Sequence, residues 1–122
     1  MSSEVFEVSK ELKKSDVISL IQDKDEELET IYDLYIIDEK FRLQGTCTLR
    51  QLLVQKDDLT LGEIMEKEDI KSLTPETHWK EVASYMSKYN LINVPIINES
   101  HELLGVVSVD DLLPWLLNEK RA

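Results

Sequence analysis

The stretch Ile92-Asn93-Val94-Pro95-Ile96-Ile97-Asn98-Glu99-Ser100-His101-Glu102-Leu103-Leu104-Gly105-Val106-Val107-Ser108-Val109-Asp110-Asp111-Leu112-Leu113 decides the reading of the fold. An apolar run, a polar turn and a second apolar run are followed by a helix. The turn residues Asn98 to Glu102 separate two short strands rich in Val, Ile and Leu. Gly105 lies in the second strand, where a glycine often marks a close approach of backbone. Ser108 and Asp111 stand at capping-box spacing and open the helix. The tip where strand becomes helix therefore presents free N–H groups, a hydroxyl and a carboxylate together. Such a helix N-terminus suits an anion such as a phosphate.

The same pattern occurs 60 residues earlier. Ile36-Ile37 falls on Ile96-Ile97, Gly45 on Gly105, Thr48 on Ser108 and Leu52-Leu53 on Leu112-Leu113. The preceding helices align at 65 instead, Val17 on Val82 and Ser19 on Ser84. The first copy thus carries about five extra residues, placed within Asp23 to Glu29. The expected architecture is α/β (α+β): two pseudo-twofold repeats, residues 1–58 and 59–122, each a small three-stranded sheet with two helices. Neither copy at roughly 60 residues covers both faces of a sheet alone, so the two are expected to pack together, their strand-to-helix tips lying in clefts between them.

Outward from these tips, Val5, Phe6 and Val8 suggest a short opening strand, and Ser9–Gln22 a helix. Ile31–Asp38 is an almost unbroken apolar run, expected to be a covered strand. Leu43–Thr48 reads as its partner, and Thr48 with Gln51 as the start of a helix to Leu53. Leu61–Met65 reads as a helical turn and Ile70–Leu73 as a strand. A helix is expected to start at Thr74-Pro75, with an apolar stripe of Trp79, Val82, Ala83 and Met86. Pro95 suggests a strand start or an edge, and Pro114 a kink or a restart in the last helix, Val109 to about Asn118.

The chain has 122 residues, 42% of them hydrophobic, and a formal charge of −11. That composition supports a packed core and disfavours nucleic acid or anionic lipid as partners. The single cysteine, Cys47, excludes an intrachain disulfide and points to a reducing, cytoplasmic setting. No apolar run reaches the roughly 18 residues of a membrane span, and no signal peptide opens the chain. Asp23, Asp25, Glu26, Glu27 and Glu29 read as a solvated face. His78 and His101 are isolated, in a helix start and a turn, so no transition-metal site is expected. Trp79 and Trp115 read as core or dimer contacts. There is no nucleophile–base pair and no Gly-rich phosphate loop, so no enzyme is expected.

Two strand–turn–strand–helix motifs in register, covering nearly the whole chain, resemble a tandem pair of cystathionine-β-synthase (CBS) domains, the Bateman module. Val94-Pro95-Ile96-Ile97 and Leu104-Gly105-Val106-Val107-Ser108-Val109-Asp110-Asp111 carry the likeness best. The extra residues of the first copy, with Ile31–Asp38, Leu49-Arg50-Gln51-Leu52-Leu53 and Leu61-Gly62-Glu63-Ile64-Met65, resemble the cytosolic CBS region of MgtE-type magnesium transporters. In that family the module lies on a membrane part and gates a pore in response to Mg2+, and some members bind an adenine nucleotide.

The resemblance implies ATP or AMP as ligand, with Ser108 on phosphate, Asp111 on the ribose hydroxyls, and Val94 and Pro95 beside them. In the first copy it implies Thr48, Arg50 and Gln51, with Gln51 standing where the pattern has Asp. For Mg2+ it implies Asp111, while Asn90 and Pro114 occupy positions that are acidic in the family. It also implies a homodimer and a partner membrane transporter portion. The alternative is a structural dimerisation module whose ligand sites have degenerated. On spacing alone, Ser108/Asp111 and Thr48/Gln51 also read simply as helix caps.

Overall fold

The structure, a computed structural model, describes residues 7–23 and 33–121, with side chains through residue 117. The elements run β1 (Glu7–Ser9), α1 (Lys14–Gln22), β2 (Asp33–Ile37), β3 (Leu43–Thr48), α2 (Leu49–Leu53), α3 (Leu61–Ile64), α4 (Trp79–Lys88), β4 (Asn93–Ile97), β5 (Leu103–Ser108) and α5 (Val109–Arg121). The described residues fall into two compact units that meet in sequence at Ile70 and Lys71. Val5, Phe6 and most of the acidic run 23–29 lie outside the described residues, as do Ile31 and Tyr32.

The first unit is a three-stranded sheet in the order β1-β2-β3, with β1 parallel and β3 antiparallel to β2. Alternation in β3 puts Leu43, Gly45 and Cys47 on the buried face and leaves Thr48 exposed. Strand β2 is buried along Leu34 to Ile37, as its unbroken apolar run requires. Val8, Val17, Ile21, Leu34, Ile36, Cys47, Leu52 and Leu61 form the core. Tyr35 is buried too, and burial, with the charge of Asp33 next, pushes its phenol pKa up. The same two causes raise the Cys47 thiol to about 11, so it packs as a small hydrophobe.

The second unit pairs β4 with β5 antiparallel. Its register repeats that of β2 and β3 position by position: Asp33 faces Thr48 as Asn93 faces Ser108, and Ile36 faces Gly45 as Ile96 faces Gly105. The irregularity after Ile36 recurs after Ile96. The third strand shrinks to one residue, Leu73, bridged in parallel to Ile96 where Val8 pairs in parallel with Ile36. Val82, Met86 and Val94, with Leu73, Val107 and Leu112 against them, occupy the places of Val17, Ile21, Leu34, Val8, Cys47 and Leu52. The repeat read from the sequence is thus a repeat of register and of core.

Each hairpin turns on one side chain. Asp38 Oδ1 accepts from the Lys40 and Arg42 backbone N–H groups, both at 2.9 Å. Asn98 Oδ1 accepts from Ser100 at 3.0 Å and Glu102 at 2.9 Å. Phe41 and His101 hold φ at 67° and 68° inside these turns. The Arg42 N–H is the main cause that lowers the Asp38 pKa below its ordinary 3.8, and the Arg42 guanidinium, 2.7 Å from Oδ2, adds to it.

Several expected boundaries move. Helix α1 starts at Lys14, not Ser9, because Ser9 belongs to β1 and Asp16 Oδ2 takes the Lys13 N–H at 3.0 Å. Helix α4 starts at Trp79, not at Thr74-Pro75. The Thr77 N–H closes a turn on the Thr74 carbonyl, and His78 caps the helix through Nδ1, which accepts from Lys80. Pro95 lies third in β4. Its carbonyl accepts from Leu73, so its nitrogen faces that side, off the β5 ladder, where a missing N–H costs nothing. Helix α5 runs on through Pro114 to Arg121. The carbonyl Pro114 leaves without a donor is that of Asp110, an exposed residue of the first turn.

Segment 60–66 follows the sequence boundary at 58/59 yet packs with residues of the first unit. Leu61 is fully buried in that core, Thr46 and Glu66 exchange backbone hydrogen bonds at 3.1 and 2.8 Å, and the Gly62 N–H reaches the Lys10 carbonyl. Gly45 makes room for this: a Cβ there would lie 2.6 Å from Met65 Sδ and 2.8 Å from the Glu66 carbonyl oxygen. Gly45→Ala is expected to destabilise the fold by about 1–3 kcal/mol, read as a lower urea midpoint; an unchanged midpoint would contradict the packing. Asp38→Asn keeps the turn acceptor, as Asn98 shows, but loses the charge. Because the folded pKa is lowered, the stabilisation is present above pH 3.8 and lost as pH falls through the folded value. The wild type should therefore exceed Asp38→Asn in stability at pH 7, and the gap should close as pH drops below about 4. A gap independent of pH would refute this.

Candidate functional site

The chemistry-bearing residues gather at two strand-to-helix junctions, one in each unit. In the second unit the antiparallel register brings the start of β4 beside the end of β5, so Asn93, Val94 and Pro95 neighbour Val106, Val107 and Ser108. Helix α5 begins at the next residue, Val109. The Ser108 N–H donates to Asp111 Oδ2 at 2.8 Å. Asp111 is half-buried, and its carboxylate has about four lone-pair sites, so this bond leaves acceptor capacity for a ligand. Asp110 joins it in the first turn, where both complement the helix dipole. Val94 is fully buried in the core and Pro95 is buried too.

The first unit repeats the junction with different chemistry. The Thr48 N–H donates to Gln51 Oε1 at 2.9 Å, and the Gln51 N–H donates to Thr48 Oγ1 at 3.0 Å. The Gln51 amide oxygen thus takes the place that Asp111 Oδ2 holds in the second unit. The pair at Thr48 is a reciprocal cap, whereas at Ser108 the backbone N–H bonds to Asp111, and only the Asp111 member is a carboxylate. Arg50 is exposed on α2. Asp33, directly across from Thr48, brings a negative charge to this end of β2.

Two features were not apparent from sequence reasoning. Lys14 Nζ donates to the carbonyls of Leu53 at 3.0 Å and Gln55 at 2.6 Å, and lies 3.5 Å from Asp57 Oδ1. This satisfies the carbonyls of Leu53, the last residue of α2, and of Gln55 just beyond it, and nothing local in sequence signals a partner so distant. The Asp38 and Asn98 turns were legible in principle, since an Asx residue recurs at one repeat position.

Among the described residues, no group of three or more His, Cys, Asp or Glu is placed to hold a metal ion. Asp111 alone matches Mg2+ chemistry only as one ligand among waters and phosphate oxygens, the mode in which Mg2+ accompanies a nucleotide. In the second unit an apolar groove of about 370 Å³ opens between α4 and α5, lined by Trp79, Met86, Leu112 and Leu116 among others. Trp79 and Trp115 stack beside it with ring centroids 6.1 Å apart, and Trp115 is 55% exposed. No helix among the described residues is long and apolar enough to cross a membrane.

Residues 61–118 match the family model of the CBS domain. The magnesium transporter MgtE of Thermus thermophilus is 34% identical over 116 residues, 95% of this chain and 26% of the transporter. That of Enterococcus faecalis is 33% identical over 91 residues, 75% of this chain and 20% of the transporter. The chain therefore spans a fifth to a quarter of the length of these relatives. Among solved structures, the cytosolic domain of the Mg2+ channel MgtE in complex with ATP superimposes with a TM-score of 0.86 at 32% identity, covering 94% of this chain and 46% of that one. The soluble part of a magnesium transporter gives 0.87 at 26% identity, covering 96% and 45%.

The reciprocal bonds at Thr48 make a direct test of its structural role. Thr48→Ala should cost about 1 kcal/mol by chemical denaturation, the usual loss for a helix cap. Equal stability of variant and wild type would remove the cap from the account.

Proposed function

Because the chain belongs to the CBS-domain family, as a repeat pair related to the cytosolic region of MgtE magnesium transporters, we propose that it is a regulatory module that binds an adenine nucleotide, ATP or AMP, with Mg2+ as the companion ion. The observation that carries this reading is the likeness, at 32% identity over 94% of the chain, to a cytosolic domain crystallised with ATP. Ser108 and Asp111 supply the matching chemistry. The Ser108 hydroxyl and the α5 N-terminus favour phosphate, and the remaining lone pairs of Asp111 accept from ribose hydroxyls. Val94 and Pro95 lie beside that junction, and Asp111 is the carboxylate assigned to Mg2+. At the first junction Thr48 and Arg50 suit phosphate through a hydroxyl and a guanidinium fork, while Gln51 offers ribose a neutral amide.

The proposed role is control rather than catalysis. A ligand shifts the module only by the difference in its affinity for two arrangements. The module's output is then a change passed to a magnesium-transporting membrane portion, of the same chain or another, on the cytoplasmic side. Isothermal calorimetry with ATP and AMP, with and without Mg2+, tests the reading. Heat is expected at or below millimolar nucleotide. Asp111→Asn, which keeps an oxygen for the Ser108 N–H, should weaken binding with little change in stability. No heat at millimolar nucleotide, or heat unaltered by Asp111→Asn, would overturn the assignment.

A second reading, a structural dimerisation module, is favoured by Gln51 in place of a carboxylate and by the apolar residues of α5. Val109, Leu113, Trp115, Leu116 and Leu117 are 43–55% exposed. On this reading sedimentation finds a concentration-dependent homodimer, Leu116→Glu shifts it toward monomer, and nucleotide leaves the melting temperature unchanged. A melting temperature that rises with ATP favours the sensor instead.

A further inference from the structure

We draw no further inference here: the strongest candidate, the apolar groove between α4 and α5 lined by Trp79, Met86, Leu112 and Leu116, is an unpartnered helix face whose pairing with a second copy restates the dimer already considered, and nothing in the structure shows what covers it.

Discussion

The rest of the structure depends on one constraint, the turn that Asp38 makes in the first unit and Asn98 in the second. One side-chain oxygen gathers two backbone N–H groups, and the residue two places before the second strand enters the left-handed region. For Phe41 and His101 that backbone costs about 1–2 kcal/mol each. The hydrogen bonds around each turn offset the cost. A slip of one residue in either hairpin would carry Leu43 or Leu103 to the opposite face and undo the core. The held register also brings the first residue of one strand opposite the last residue of the next. Thr48 and Ser108 stand where they do because Asp38 and Asn98 do.

With the frame held in common, the two junctions diverge in chemistry alone. Gln51 and Asp111 both relieve the same backbone donor, so folding accepts either residue. Recognition does not, because an amide and a carboxylate differ in charge and in what they attract. Substitution at this position can change what a junction binds while leaving the hairpin intact. The Lys14 side chain, bound to the carbonyls that end α2, shows the same economy at the other end of that helix, with one cation meeting two acceptors.

Much of this was legible in the sequence where the signal is local. The bounds of β3 and α2 follow from alternation in Leu43–Thr48 and from the Thr48/Gln51 spacing. The matched core follows from the offsets of 60 and 65. The start of α4 was misread because Pro75 suits a first helical turn, whereas His78, a less typical cap, holds the position. The strand expected at Ile70–Leu73 contracted to one bridge at Leu73. At the junctions, spacing found Ser108, Asp111, Thr48 and Gln51, but the same spacing serves a cap and a ligand site, so sequence alone does not separate the roles. The docking of 60–66 and the reach of Lys14 are contacts between distant residues, which no local pattern encodes.

The segment that crosses Gly45 bears on how the molecule is made. Leu61 is one of the fully buried side chains of the first core, and Glu66 closes the far edge of β3. During synthesis the first unit stays incomplete until the ribosome has released residue 66, although the first repeat ends well before it. The nascent chain must therefore emerge beyond its first sequence repeat before the first unit is sealed.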